Sequence, residues 1–107
     1  MARAQQLVES NLGDPLFNIA VLADRLNMTR ITLSRKIKAV TGQTPLEFIR
    51  DIKMRHACRM LETPAMTVSE VVAALGYNDH DHFTSLFKKT FGMTPSEYQK
   101  RKASPMN

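Results

Sequence analysis

Cysteine and tryptophan are the scarcest residues in this chain. Among its 107 residues, Cys58 is the single cysteine, and tryptophan is absent. One cysteine cannot form an internal disulfide or a cysteine-based zinc site, and this scarcity fits a protein of the reducing cytoplasm. The composition therefore excludes a small secreted scaffold held together by disulfides.

Long apolar runs and strand-like alternation are missing as well. No stretch approaches the roughly 20 consecutive apolar residues that a membrane-spanning helix needs. The first residues, MARAQQLVES, lack the charged-then-apolar order of a signal peptide. We therefore predict an all-α, cytoplasmic protein with no membrane partner.

Acidic residues are outnumbered, and their distribution is uneven. The chain has 15 basic and 10 acidic residues, a formal net charge of +5. Between Asn27 and Leu46 there are four basic residues and no acid; they are Arg30, Arg35, Lys36 and Lys38. This excess favours a polyanionic partner, and the acid-free run makes the first repeat the expected stronger electrostatic anchor.

The two halves of the chain repeat each other. The segment LSRKIKAVTGQTPLEFIR, which starts at Leu33, corresponds to FTSLFKKTFGMTPSEYQK, which starts at Phe83, at a constant offset of 50. Farther upstream the offset is 49, so the second copy has one extra residue at its central turn. A repeat near this period is typical of stacked helical units, and two copies predict a pair.

Apolar spacing and capping residues predict seven helices. In chain order they are about Arg3–Asn11, Asn18–Leu26, Thr29–Gly42, Thr44 to about Glu62, Thr67–Gly76, Asp79–Gly92, and a short seventh from Thr94 through Tyr98. Thr44 with Glu47 and Thr67 with Glu70 have the spacing of capping boxes. The prediction is two lobes, residues 1–43 and 64–107, joined by a long linker helix over residues 44–63.

Apolar residues define the buried face of the helix in each lobe that carries the repeat. In the third helix we expect one buried stripe of Leu33, Ile37 and Val40. In the sixth helix we expect burial of Phe83, of either Leu86 or Phe87, and of Phe91.

Each lobe also has the layout of a helix-turn-helix, in which the second helix enters the major groove of DNA. Side chains near i, i+1, i+4, i+5 and i+8 of such a helix point into the same groove. On the third helix these residues are Arg30, Ile31, Ser34, Arg35 and Lys38. On the sixth helix they are His80, Asp81, Thr84, Ser85 and Lys88.

The second repeat carries a longer and more specific pattern. It consists of Gly76-Tyr77, Phe83, Phe87-Lys88-Lys89, Phe91-Gly92, Thr94-Pro95 and Tyr98. On these residues the chain resembles the DNA-binding domain of the AraC/XylS family of bacterial transcription regulators. The phrases NLGDPLFNIAVLADRLNMT and EFIRDIKMRHA are further similar to the output domains at the C-terminal ends of hybrid two-component sensor-regulators.

The resemblance implies sequence-specific binding of double-stranded DNA and regulation of transcription, with activation as the expected direction. It places two recognition helices in successive major-groove segments. By residue, it implies first-groove contacts from Ile31, Ser34 and Arg35, and second-groove contacts from His80, Asp81, His82, Thr84 and Ser85. Arg35 has the chemistry to pair with guanine and Asp81 to accept from cytosine. Lys38, Lys88 and Lys89 lie farther along and are expected to contact phosphates.

Ser85 departs from the family's pattern, which often has arginine there. In the sixth helix, Asp79 and Asp81 balance Lys88 and Lys89, so this helix has no net charge. We therefore expect the first lobe to bind tightly and the second to tune sequence choice or to bind weakly.

Some residues allow other interpretations. His80 and His82 point about 200° apart on a helix, whereas a helical zinc pair uses a spacing of four. A groove contact at His80 and a capping or packing role at His82 are favoured. Ile31 either contacts a thymine methyl group or belongs to the core of its lobe. Cys58 and His56 have no third catalytic partner, which favours a structural role.

Two rival functions accompany the leading one. The chain could be a protein-interaction module whose basic faces dock on an acidic partner in the transcription machinery, such as RNA polymerase. An enzyme is the other rival, but the sequence offers no convergent catalytic set. We expect no cofactor, no metal and no small-molecule ligand in this domain.

Overall fold

The computed structural model describes residues 2–63 and 65–103. All regular secondary structure in these two ranges is helical, which confirms the all-α prediction with its seven helices. The helices are α1 (Ala2–Glu9), α2 (Ile19–Arg25), α3 (Arg30–Thr41), α4 (Pro45–Leu61), α5 (Val68–Ala74), α6 (His80–Phe91) and α7 (Pro95–Ala103).

The predicted capping residues begin and end these helices. Glu47 donates its backbone N–H to Thr44 Oγ1 at 3.2 Å, and Glu47 Oε1 accepts from the Thr44 N–H at 2.9 Å. The same reciprocal pair of bonds forms between Thr67 and Glu70 at 3.1 and 2.8 Å. Both predicted capping boxes are therefore confirmed, and each satisfies backbone donors that the first helical turn leaves unpaired.

Two helix ends differ from the sequence prediction. α1 ends at Glu9 instead of about Asn11, and the Asn11 side-chain amide donates to the Leu7 carbonyl at 2.7 Å. This bond closes the last turn in place of a continued helix. α7 continues past Tyr98 to Ala103, because the QKRKA segment consists of good helix formers and places positive charge at the helix C-terminus.

The chain divides into two compact units, unit 1 over Met1–Lys53 and unit 2 over Met54–Asn107. The boundary falls inside α4, so each unit includes one half of that helix. The division into two lobes and a separate linker helix stays a prediction.

Unit 1 has a largely aliphatic core. Its buried cluster consists of Ala4, Val8, Leu22, Ala23, Leu33, Ile37, Phe48 and Ile52. Val40 was predicted to continue the stripe of Leu33 and Ile37, but it is 66% exposed. That prediction is wrong because the last turn of α3 extends beyond the buried cluster.

The core of unit 2 combines aliphatic side chains with a set of linked aromatic rings. Phe83 and Phe87 are fully buried on α6, whereas Leu86 and Phe91 are only half-buried, so Phe87 is the inward member of its pair. The expected full burial of Phe91 is wrong, because its ring lies at the edge of the core, 4.7 Å from the Phe87 ring centroid. Phe87 also meets Tyr98 edge-on at 5.6 Å, so α6 and α7 pack through ring contacts.

Candidate nucleic-acid interface

α2 and α3 form the helix-turn-helix of unit 1. The turn between them contains Asn27 in a left-handed conformation with φ of 56°, and the Met28 N–H donates to the Ala23 carbonyl at 2.9 Å. Asparagine tolerates positive φ better than most side chains. Thr29 then caps α3, since its Oγ1 accepts from the Thr32 N–H at 3.1 Å. The turn and the cap together fix where the recognition helix begins.

α5 and α6 repeat this arrangement in unit 2. Gly76 has φ of 78° at the position that corresponds to Asn27. Asp79 replaces Thr29 as the cap, and its Oδ1 accepts from the backbone N–H groups of Asp81 and His82 at 2.9 and 3.2 Å. The Asp79 carboxylate is therefore occupied by the helix terminus.

The buried side of α3 sets the direction of its outer face. Leu33 and Ile37 are fully buried, so the residues about half a turn away point outward. Ile31 is 67% exposed, which excludes the alternative that it belongs to the core of its unit. Of the five predicted first-groove residues, Ser34 is half-buried and the other four are exposed: Arg30, Ile31, Arg35 and Lys38.

The structure brings four of these five residues into one open cleft of about 800 Å³. It is formed at the N-terminal ends of α2, α3 and α4. Its lining is Ile19, Thr29, Arg30, Ile31, Ser34, Arg35, Thr44, Pro45 and Leu46, and no carboxylate is among these residues. Lys38, one turn farther along α3, is not part of the lining.

The sequence interpretation missed Ile19 and Leu46 as members of this surface. The sequence pattern places Leu46 on the linker helix, yet its side chain is exposed beside the recognition helix. The available signal was the second repeat, which has Ser96 at the position of Leu46. A core position would be expected to stay apolar in both copies.

α6 presents the predicted second-groove residues in the same way. Phe83 and Phe87 point inward, so the opposite face is open. Thr84 is half-buried, and the other predicted residues are exposed: His80, Asp81, His82, Ser85, Lys88 and Lys89. The His82 ring lies 6.1 Å from the Tyr77 ring, a contact that favours packing for this histidine over base recognition.

The two recognition helices differ in charge. α3 has four basic residues and no acid. In α6 with its cap, two aspartates oppose two lysines, so the net charge is zero. An exposed cationic helix attracts DNA phosphates, whereas a neutral helix has no such advantage.

A lysine near the end of each recognition helix lies close to the glutamate that caps the next helix. Hydrogen bonds from the Thr44 backbone and then its side chain, followed by the charges of Lys38 and Arg50, hold the pKa of Glu47 below its ordinary value. The pKa of Glu97 is lowered in the same order by Thr94, and then by Lys88 and Arg101. Both glutamates therefore stay ionised at neutral pH. Each keeps one negative charge near a predicted phosphate contact.

Other chemistry has little support in the described residues. No group of three or more histidine, cysteine, aspartate or glutamate side chains in residues 2–63 and 65–103 could hold a metal ion. Burial raises the pKa of the Cys58 thiol, so the thiol is protonated at neutral pH. Within the part of the chain that the structure describes, no helix combines the length and the apolar character needed to cross a membrane.

Comparisons with known proteins identify the family. A family model described as a helix-turn-helix domain matches residues 22–101. The histidine kinase P4 of Formosa agariphila is 36% identical over 101 residues, which cover 94% of this chain and 7% of that protein. The transcriptional activator NphR of a Rhodococcus species is 30% identical over 103 residues, 96% of this chain and 30% of the relative. This chain thus spans less than a third of either relative.

A solved structure agrees with the sequence comparisons. The DNA-binding domain of AdpA, described as a global transcriptional factor in complex with a target DNA, matches with a TM-score of 0.85 and 27% identity. The match covers 99% of this chain and 96% of that one. Because the family model covers most of the chain and both helix-turn-helix units are in place, the chain belongs to the AraC-type helix-turn-helix DNA-binding domains of transcription regulators.

Proposed function

We propose that this chain recognises an asymmetric double-stranded DNA site through two unequal helix-turn-helix units, in successive major-groove segments. The single observation that carries the proposal is the exposed cationic face of α3 beside an acid-free cleft. The duplication supports the use of a second groove, because α6 exposes the corresponding residues on the same kind of helix. Binding of this kind needs neither a cofactor nor a catalytic group.

In the first unit, Arg35 is the leading base contact. Its exposed guanidinium has the planar fork that pairs with O6 and N7 of guanine, worth about 1 to 3 kcal/mol of discrimination against other bases. Ser34 and Arg30 line the same cleft and contact DNA groups next to this guanine. Lys38 lies one turn farther along and contacts phosphate, which adds affinity without sequence information.

In the second unit, recognition depends on smaller and partly acidic side chains. Asp81 is exposed and accepts a hydrogen bond from the amino group of cytosine. His80, Thr84 and Ser85 contact neighbouring base edges, and Lys88 with Lys89 contacts phosphates. With no net charge on α6 and its Asp79 cap together, this unit contributes sequence choice more than affinity.

The size of the relatives supports a place for this domain inside a longer regulator. The match to a histidine kinase occupies only 7% of that protein, so in the relative the domain is one part of a larger chain. We infer that here too it is the DNA-binding output of a sensor-regulator that acts in the cytoplasm, where bacterial DNA lies. Activation is the direction that the activator relative supports.

Contact with RNA polymerase is a second candidate, limited to unit 2. The charge balance of α6 with its cap favours it, since two aspartates against two lysines make this helix less suited to DNA than α3. If α6 serves polymerase alone, substitution of Asp81 and Ser85 by alanine will leave DNA affinity and base preference unchanged and will reduce transcription from a bound promoter.

Selection from a random duplex pool tests the main proposal. The 107-residue chain is incubated with the pool at near-physiological salt, and the bound fraction is sequenced through several rounds. Two unequal boxes about one helical turn apart are expected. One box would limit base recognition to one unit. Retention that is sensitive to salt but without enrichment of any sequence would contradict the proposal.

A further inference from the structure

The exposed large apolar side chains of the described residues all lie in unit 1. They are Leu16, Ile31, Val40 and Leu46. The second repeat has small or polar residues at the corresponding positions, namely Ala65, Asp81, Thr90 and Ser96. The repeat therefore supplies an internal comparison. If the fold needed apolar side chains at these positions, both repeats would have them. Their presence in the first repeat alone therefore has a cause specific to unit 1.

Two of the four come together in one place. Ile31 and Leu46 line the cleft at the N-terminal ends of α3 and α4, and Ile19 is the third apolar residue there. Leu46 is 55% exposed at the second position of α4, outside the recognition helix. Leu16 and Val40 are not part of this lining. The cleft therefore combines an apolar surface from two helices, although only α3 was expected to contact bases.

The charges around this surface restrict what can occupy it. Arg30 and Arg35 are the charged residues of the lining, and no carboxylate opposes them. A suitable occupant must offer an apolar group next to hydrogen-bond acceptors. The major-groove edge of a thymine beside a guanine does so, because it presents a C5-methyl group next to the guanine O6 and N7 acceptors.

We propose that Leu46, together with Ile31, recognises the methyl group of a thymine next to the guanine that Arg35 contacts. This inference rests on the proposed DNA-binding function and adds a specificity-determining residue outside the recognition helix. Unit 2 lacks such a site, because Asp81 and Ser96 occupy the equivalent positions. The thymine requirement should therefore appear only in the box bound by unit 1.

Replacement of single thymines by uracil tests the proposal, because it removes the methyl group and leaves the hydrogen-bonding groups in place. The probe is the duplex recovered from the random pool, with each thymine replaced in turn. For the unchanged protein we expect about fourfold weaker binding at one or two thymines in the unit 1 box, as for the loss of one buried methyl group. Thymines elsewhere should tolerate the change.

Two variants taken from the second repeat complete the experiment. Leu46→Ser should weaken binding to the thymine duplex and reduce the further loss caused by uracil to what the remaining Ile31 contact contributes. Val40→Thr is the matched control, because it also replaces an exposed apolar residue by its counterpart in the repeat, away from the cleft. It should behave as the unchanged protein. Far-UV circular dichroism verifies that both variants fold.

The outcomes separate this inference from the function on which it rests. If uracil has no effect in the unit 1 box while Arg35→Ala still weakens binding, the methyl site is wrong and DNA recognition stands. If Leu46→Ser weakens binding to the thymine duplex and to the uracil duplex by the same factor, Leu46 does not contact the methyl group. The inference is then likewise overturned. If no duplex is enriched at all, the proposed function itself fails.

Discussion

Unit 1 packs a largely aliphatic core beneath a recognition helix with four basic residues and no acid. Unit 2 adds linked aromatic rings to its core, and two aspartates balance the two lysines of its recognition helix and cap. The local design is nevertheless shared, since both units use a left-handed residue in the turn, a side-chain cap and a glycine stop. The two repeats thus share the residues that begin and end their helices, whereas they differ in core composition and in surface charge. We therefore expect the second unit to bind DNA more weakly than the first.

The core comparison predicts the largest effects. Phe83→Ala should lower the free energy of unfolding by about 3 to 5 kcal/mol, and Leu33→Ala, at the corresponding position, by about 2 to 5 kcal/mol. Phe83→Ala also removes ring contacts with Tyr77 and Phe87 at 5.4 and 6.0 Å, so its loss of unfolding free energy should be the larger of the two. Urea denaturation followed by circular dichroism measures both. A larger loss for Leu33→Ala would remove the aromatic core as the distinguishing feature of unit 2.

The surface comparison predicts an asymmetry in DNA affinity. Arg35→Ala should cost about 1 to 3 kcal/mol of binding free energy at the selected site. Ser85→Ala should cost less, and Ser85→Arg should steepen the logarithmic dependence of affinity on salt by about 0.9 if the added charge meets a phosphate. Fluorescence anisotropy at several salt concentrations gives all three values. Equal losses for Arg35→Ala and Ser85→Ala would mean that the units contribute equally.

The glycine stops predict an effect shared by both units. Gly42 and Gly92 have φ of 76° and 80°, and a Cβ added at either position meets no atom within 4 Å. Substitution by alanine should therefore cost only backbone strain, about 1 to 2 kcal/mol in each unit. Thermal denaturation of Gly42→Ala and Gly92→Ala tests this expectation. A clear difference between them would show that the repeated caps are not energetically equivalent.

Tyr98 and Phe48 occupy matching positions and predict a smaller effect. Tyr98 donates its hydroxyl to Glu62 Oε2 at 2.6 Å, so Tyr98→Phe should cost about 1 kcal/mol. Phe48→Tyr should also destabilise, because Phe48 is buried and the counterpart of Glu62, at the upstream offset of 49, is Gly13, which has no side-chain acceptor. Chemical denaturation at neutral pH compares both variants with the unchanged protein. Stabilisation by Phe48→Tyr would contradict this account of the pair.

Alkaline pH isolates the hydroxyl of Tyr98. Desolvation, followed by the hydrogen bond to the Glu62 carboxylate, raises the pKa of Tyr98 above its ordinary value of 10.0. A group whose pKa is raised on folding stabilises the fold fully below its unfolded pKa, and this contribution declines as pH rises above that value. The unchanged protein should therefore lose stability above pH 10 more steeply than Tyr98→Phe. Parallel curves would rule out the contribution of this hydroxyl.

Much of the fold could be predicted because its signals are local. A helix start or end is specified by hydrogen bonds within a few residues. Thr44 and Glu47 form such bonds at the start of α4, and Gly42 ends α3 in the left-handed conformation. Val40 shows the limit of such patterns. Its spacing matched a buried position, but burial depends on whether another helix covers that turn, which spacing within α3 does not reveal.

The sequence predicts the interface residues that lie on a single helix better than those that other helices contribute. The outward face of α3 follows from the period of its buried residues, and the expected side chains are on it. Leu46 was missed as a surface residue because its proximity to Ile31 depends on where the start of α4 lies beside α3. Comparison of the two repeats identifies Leu46 as a surface position, because the corresponding residue in the second repeat is the polar Ser96.

We expect unit 1 to anchor the domain on DNA and unit 2 to make a weaker, separate contact. Methylation interference at guanine N7 on the selected duplex tests this expectation most directly, because this atom lies in the major groove. We expect two patches of interference about one helical turn apart, and Arg35→Ala should abolish the stronger one and spare the other. A pattern unchanged by Arg35→Ala, or a stronger patch that depends on Asp81 or Ser85, would contradict it.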